Sequence, residues 1–369
     1  MIPGERRYDL DWIRVIVFDI LILYHVGMFF VPWGWHIKNN EIVDWVQWPM
    51  ILVNQWRIPI LFVVSGMGTR FALSYRSGGE YIRERLKRLF IPLLVGVLLI
   101  VPPQVYLERV VNGEFDGSFF DFLPHIFDGI YPTGNFSWHH LWFLPYLLLF
   151  SVVFTRLFIW LRKDENPWIA YLRKKIHQSP YFLILFFAPL FVIDIALEGS
   201  FKITHALIGD WFALALYGTL FVYGFILVSV GDIFWNAVIK IRYISLVCGL
   251  IALPSLVWLW FNWDPSFMIP VARTFNQWSW ILAVFGFAAR YLNRSSKTLK
   301  YRNQAVYPFY ILHQTLTIIL GYWVMDFDWH YGMKFIVMAI GTFGGCWVLY
   351  ELVIRRIAIL RPLFGLKKR

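Results

Sequence analysis

Arg14 and His25 stand eleven residues apart in the run "DLDWIRVIVFDILILYH", which also carries Asp11 and Asp19. At 100° per residue that spacing returns to within about 20° of one helical face, with about 16 Å between the two along the axis. Asp11, Arg14, Phe18, Ile22 and His25 form one stripe, and Asp19 lies on a different face. Inside a bilayer, ionisable groups cost a few kcal/mol unless they are paired or face water, so each is a functional candidate. An imidazole titrating near neutrality suits proton transfer. A guanidinium suits an anionic ligand or a developing oxyanion. The structural alternatives are an arginine that snorkels to the surface and a histidine that satisfies a neighbouring helix.

A second run, "NQAVYPFYILHQTL", places His313 about 13 Å into a helix by helical rise, accompanied by Tyr307, Tyr310 and Gln314. Two histidines at similar depth on different helices can line one cavity, or His313 can serve only as a hydrogen-bonding bridge. Asn54, Gln55, Arg57 and Ser65 are equally unusual company for lipid. Ser65 lacks the glycine two residues upstream that an intramembrane serine nucleophile motif requires, because Val63 stands there. In "WHHLWFLPYLLL", His139 and His140 stand at the outer mouth of a helix and read as interfacial residues beside an aromatic belt. In "YIRERLKRLFIP", Arg85 and Arg88 are three apart and share a helical face, a spacing suited to gripping phosphates, with Arg83 as a further donor. A basic loop on the cytoplasmic face accounts for the same residues without a ligand.

The elements that must hold these groups are membrane helices. The chain has 369 residues, of which 59% are hydrophobic and 15% charged, with 35 Phe and 20 Trp. A soluble domain carries about a quarter charged residues. Apolar runs near the length that spans a bilayer occur at Ile13–Val31, Met50–Ser74, Phe90–Leu107, Leu141–Leu161 and Tyr181–Leu197. Others follow at Trp211–Gly231, Ile244–Phe261, Trp278–Leu292, Ala305–Met325 and Phe335–Ile354. The expected fold is an all-α integral membrane protein with ten transmembrane helices. A short cytoplasmic segment (1–12) precedes the membrane domain (13–354), and a basic cytoplasmic tail (355–369) follows it.

Charge placement sets the orientation. Arg83, Arg85, Lys87 and Arg88, then Arg162, Lys163 and Arg173 to Lys175, then Arg294, Lys297, Lys300 and Arg302 fall on one side. The closing Arg355, Arg356, Arg361, Lys367, Lys368 and Arg369 join them, while Glu108, Glu114, Asp116, Asp121 and Asp128 are assigned to the longest opposite loop. By the positive-inside rule both termini are cytoplasmic. The net charge of +11 then reflects topology and anionic lipid, not a nucleic-acid partner. No small-residue cleavage site follows the first run, where "FFVPWGWH" stands, so that run is expected to remain as a signal anchor. Two cysteines, Cys248 and Cys346, both within helices, supply neither a disulfide framework nor a thiolate metal site, and no metal is expected.

Taken in order, these motifs resemble the bacterial membrane acyltransferases of acyltransferase family three, from about Arg6 to Ile354. The resemblance rests on Arg14 and His25 after "DLD", "LFVVSG", the R-x-x-R of Arg85 and Arg88, "HLWFLPYLL", "VYPFYILHQTL" and the closing "LYELVIRR". "HLWFL", "RLKRLFIP" and the final "LYE" look most like the glucan biosynthesis protein C branch, which succinylates periplasmic glucans. The resemblance implies an inner-membrane enzyme moving an acetyl or succinyl group from cytoplasmic acyl-CoA to a hydroxyl of an extracytoplasmic polysaccharide or oligosaccharide. His25 is then the catalytic base, with His313 beside it, Arg14 as an electrostatic guide oriented by Asp11, and Arg85, Arg88 and Arg83 on the donor's phosphates. Many relatives append an extracytoplasmic esterase-like domain; a chain ending in a basic tail is expected to act alone or with a separate partner. Buried Arg, His and Asp equally suit a proton-coupled carrier of an anionic substrate, and a non-catalytic scaffold of an envelope polysaccharide complex is a third reading. Asp19 and Asp194 are expected to pair with buried donors on other helices.

The orientation is open to direct test. A fluorescent reporter fused after the last residue is expected to fold and fluoresce, and a phosphatase fused there to stay inactive; the reverse pattern would invert the topology.

Overall fold

A computed structural model describes residues 6–163, 166–262 and 267–367. Lys368 and Arg369, assigned above to the basic tail, lie outside the described residues. Each of the ten apolar runs is helical. In chain order the helices are α1 (Tyr8–Met28), α2 (Asp44–Leu73), α3 (Gly78–Val111) and α4, which comprises His139–Val153 and Thr155–Leu161 with a bend of 54° between them. An amphipathic helix α5 (Pro167–Gln178) begins at Asn166, whose side chain caps the Trp168 and Ile169 amides. Then come α6 (Pro180–Glu198), α7 (Trp211–Ser229), α8 (Asp232–Asn262), α9 (Met268–Tyr291), α10 (Lys297–Val324) and α11 (Tyr331–Ile354). No strand forms among the described residues; an isolated bridge joins Ile130 to Phe136.

Six of these helices are long and apolar enough to cross a membrane, or seven with bent α4 counted as one. The expected ten exceeds that number by three. The three are α1, α9 and α10, of 21, 24 and 28 residues. They are long enough, but Asp11, Arg14 and Asp19, then Arg273, Asn276 and Gln277, then His313 and Gln314 interrupt their apolar character. The helices that fall short of the apolar standard are those carrying polar side chains in their interiors, which is where chemistry is built in a bilayer.

The chain divides into two compact units. The first comprises Met1–Val17, Leu52–Arg83 and Tyr146–Lys300. In it α8 packs along α9, and α7 packs along the Arg57–Leu73 part of α2. At the α2–α7 crossing the helices touch backbone to backbone. A Cβ on Gly66 would stand 1.9 Å from the Phe221 carbonyl oxygen, and one on Gly224 would stand 1.9 Å from the Val63 carbonyl oxygen. Small residues permit such approach, and without a hydrophobic drive in lipid this close packing supplies much of the helix–helix attraction. Phe62 stacks on Tyr217 at 4.6 Å in the same interface. Asp194 of α6 pairs with Arg273 of α9 at 2.7 Å, with Glu198 at 3.4 Å from the same guanidinium, as expected of a buried carboxylate.

The second unit comprises Phe18–Ile51, Glu84–Pro145 and Tyr301–Arg369. Its core is a buried cluster of Val26, Phe29, Phe30, Ile37, Leu107, Ile318, Val324 and Met338. Asp19 is ion-paired with Arg302. Two stretches of α3, Leu86–Phe90 and Gly96–Ile100, and the end of α11, Leu349–Ile354, wind as π-helix, a wider turn often found at functional sites. Glu351, from the closing motif, accepts from Arg355 at 2.7 Å and from the Tyr301 hydroxyl at 3.1 Å.

The glycine crossing makes a quantitative test. Gly66→Ala must push apart two backbones, so it is expected to cost at least the upper end of the about 1–3 kcal/mol typical of overpacking. Gly68→Ala, whose Cβ meets nothing within 4 Å, should change the unfolding free energy in detergent by no more than about 0.5 kcal/mol.

Candidate active site

The second unit gathers a polar network around α1 and α10. His25, near the end of α1, places Nδ1 2.7 Å from Nε2 of His313. The rings lie parallel within 3°, with centroids 4.9 Å apart. His313 is fully buried. Its Nδ1 approaches two carbonyls of its own helix, Tyr310 at 2.7 Å and Phe309 at 3.2 Å. A carbonyl only accepts, so His313 Nδ1 carries the proton and, in the neutral ring, Nε2 carries the lone pair. His25 Nδ1–H therefore donates to it, and the basic nitrogen of His25 is Nε2. The backbone of α10 thus fixes the direction of the pair.

The chain reverses after α1 to bring Trp35 and His36 back onto this pair. Lys38 makes that reversal: its ammonium donates to the carbonyls of Met28 at 2.6 Å, Trp33 at 2.9 Å and Val31. Burial in the turn pulls its pKa down to about 8. Trp35 then stacks on His25 at 5.3 Å and lies 5.0 Å from the His36 ring.

A second directional chain runs along α10. Thr315 donates to the Ile100 carbonyl at 2.6 Å, so its oxygen accepts from Gln104 Nε2 at 2.7 Å. Gln104 Oε1 then accepts from Gln314 Nε2 at 3.0 Å, and the same amide nitrogen reaches His36 Nε2 at 3.1 Å. His36 must accept there, which leaves its proton on Nδ1, directed at Glu108 Oε2. The other oxygen of Glu108 accepts from the Tyr131 hydroxyl at 3.0 Å. Burial, with Glu108 adding to it, pushes the Tyr131 pKa up to about 12. Arg109 positions the loop that carries Tyr131 by donating to the Pro132 and Gly134 carbonyls at 2.7 and 2.8 Å.

These contacts correct two sequence readings. Glu108 is not an acidic residue of an outer loop: α3 continues to Val111, and the residue is buried, with its side chain against His36. His140 is not interfacial. It is buried, with Nε2 bonded to the Ile311 carbonyl at 3.0 Å and Nδ1 approached by Gln104 at 3.4 Å, while its own carbonyl accepts from Tyr310 at 2.7 Å. His139 sits 4.4 Å from the His36 ring and 4.7 Å from that of Tyr131. His36 itself has no local sequence signal, since its partner Glu108 lies 72 residues away.

Of the residues singled out from the sequence, the second unit brings His25 and His313 together. Asp11 and Arg14 belong to the first unit. There Asp11 is gripped by Arg6, at 2.7 and 2.9 Å, more closely than by Arg14 at 3.6 Å, so Arg6 is its principal partner. Arg83 also belongs to the first unit, and Arg85 and Arg88 to the second. Arg88 pairs with Glu84 at 3.2 Å, and its carbonyl accepts from Tyr307 at 3.0 Å. The π-turn Leu86–Phe90 falls between Arg85 and Arg88.

A family model described as "Acyltransferase domain" matches residues 7–351. The protein named glucans biosynthesis protein C in Escherichia coli strain SMS-3-5 is 25% identical over 387 aligned positions, covering 99% of this chain and 95% of that protein. Its counterpart in Escherichia coli K12 is 24% identical over the same coverage. No solved structure matches the chain. With its apolar helices and a match spanning all but its ends, this multi-pass membrane protein belongs to acyltransferase family three.

Proposed function

We propose that the protein transfers an acyl group, acetyl or succinyl, from acyl-CoA on the cytoplasmic side to a hydroxyl of an extracytoplasmic glycan. Family membership and the printed names of the E. coli relatives support the class of reaction. The observation that carries the mechanism is the His25–His313 hydrogen bond. His25 Nε2 takes the proton of the sugar hydroxyl as that oxygen attacks the thioester carbonyl, and returns it to the departing thiolate. Products are an ester and free CoA thiol, and the base is regenerated. During the step His25 becomes an imidazolium whose Nδ1–H is already held by His313. A neutral acceptor stabilises that charge less than a carboxylate would, but it avoids burying a second full charge in the membrane. Arg14, or the helix-borne Arg85 and Arg88, would meet the anionic donor.

Thiol release from acetyl-CoA and succinyl-CoA by purified protein with a glucan acceptor tests the reading. His25→Ala is expected to lower kcat by about 10²–10⁴-fold, the range of general base catalysis. His313→Ala should lower it less, with KM nearly unchanged, because it removes an interaction that strengthens only as charge develops. Release that survives in a folded His25→Ala would make His25 structural and defeat the mechanism. Release from neither donor, together with proton-coupled uptake of an anion into liposomes, would return the carrier reading.

The arginine pair has its own signature. Arg85→Ala and Arg88→Ala should raise KM for acyl-CoA while leaving kcat close to wild type, as loss of uniform donor binding does. An unchanged KM in both would assign the R-x-x-R motif to topology alone.

A further inference from the structure

His36, Glu108 and His139 take no part in the proton transfer above, yet they converge. One donor atom from each lies within 4.8 Å of the other two. Two imidazoles and a carboxylate are the donor set of zinc sites that keep a fourth position open. Each residue is also held from behind. Tyr131 donates to Glu108 Oε1 at 3.0 Å, Gln314 contacts His36 Nε2 at 3.1 Å, and Ser137 Oγ stands 3.3 Å from His139 Nδ1. Outer contacts of this kind orient metal ligands and tune their basicity.

The independent observation is at His139. With Nδ1 engaged by Ser137, its Nε2 is buried and has no hydrogen-bond partner among the described residues. Buried polar nitrogens are almost always satisfied by protein or ordered water, and a metal ion is a further partner open to an imidazole nitrogen. Its backbone is held at φ 38, where L residues rarely settle, by a bond from its own N–H to Ser137 Oγ at 3.0 Å. Strain of this type persists where the surroundings fix a side chain for a purpose.

We propose that His36, Glu108 and His139 form a binding site for one divalent transition-metal cation, zinc by its donor chemistry, with a coordination position left open. The site does not depend on the acyl-transfer reading. The cation would take His36 through Nδ1, the nitrogen that faces Glu108.

The test reads metal, not turnover. Purified protein is stripped with chelator, desalted and titrated with zinc chloride, with bound zinc measured by mass spectrometry and thermal unfolding followed in parallel. Wild type is expected to take up one zinc per chain and to unfold at higher temperature as zinc rises. His139→Gln and Glu108→Gln should weaken uptake at least about a hundred-fold, and Tyr131→Phe, which leaves all three ligands, about tenfold. If His139→Gln fails to fold, Tyr131→Phe carries the comparison. X-ray absorption at the zinc edge should show nitrogen and oxygen donors with imidazole scattering. Absence of uptake under excess zinc, uptake unchanged in the folded variants, or a first shell without imidazole overturns the site.

Discussion

The hydrogen bond from His313 Nδ1 to the Tyr310 carbonyl is the contact on which the rest of the site depends. A carbonyl has no proton to give, so the direction of that bond is not negotiable, and neither is that of the next. From it follow the tautomer of His313, the donor role of His25 Nδ1 and the nitrogen on which His25 is basic. The Thr315–Ile100 contact plays the same part for the second chain, through Gln104 and Gln314 to His36 and Glu108. Buried polar groups must find their partners within the protein. A fixed acceptor at one end therefore sets proton positions several residues away.

This makes α10 more than a scaffold. His313, Gln314 and Thr315 are consecutive, so they point in three directions from one turn. His313 meets α1, Gln314 meets His36 and α3, and Thr315 meets α3 alone. The helix thereby joins the proton-transfer pair to the His36–Glu108 pair through its own backbone. Tyr310, one turn earlier, donates to the His140 carbonyl and ties in the start of α4. Rotating α10 would break contacts with three neighbours at once, which is how a polar residue in a membrane gains a single orientation.

The helices are legible in the sequence because a bilayer enforces long apolar runs, and every run is helical. The polar residues within those runs are legible too: His25, His313, Asp19 and Asp194 stand out because lipid makes them costly, and each has a partner. What stays hidden is pairing across sequence distance. Glu108 looks like a loop acid because the apolar run ends at Leu107, yet the helix continues one more turn. His36 follows the end of α1 in a stretch with no periodicity at all. His140 looks interfacial among aromatic residues, and only the positions of Gln104 and Ile311 show that both its nitrogens are occupied. The π-turns of α3 have no local signature in the sequence.

The Gly66–Gly224 crossing carries a different lesson. When a large side chain fills a core, a second substitution can often make room for a change in the first. Here each glycine faces the other helix's carbonyl oxygen, and neither position can become smaller. A mutation at one has no partner change that relieves it, so the two sites cannot drift together. Evolution can move this helix pair only by giving up the contact altogether.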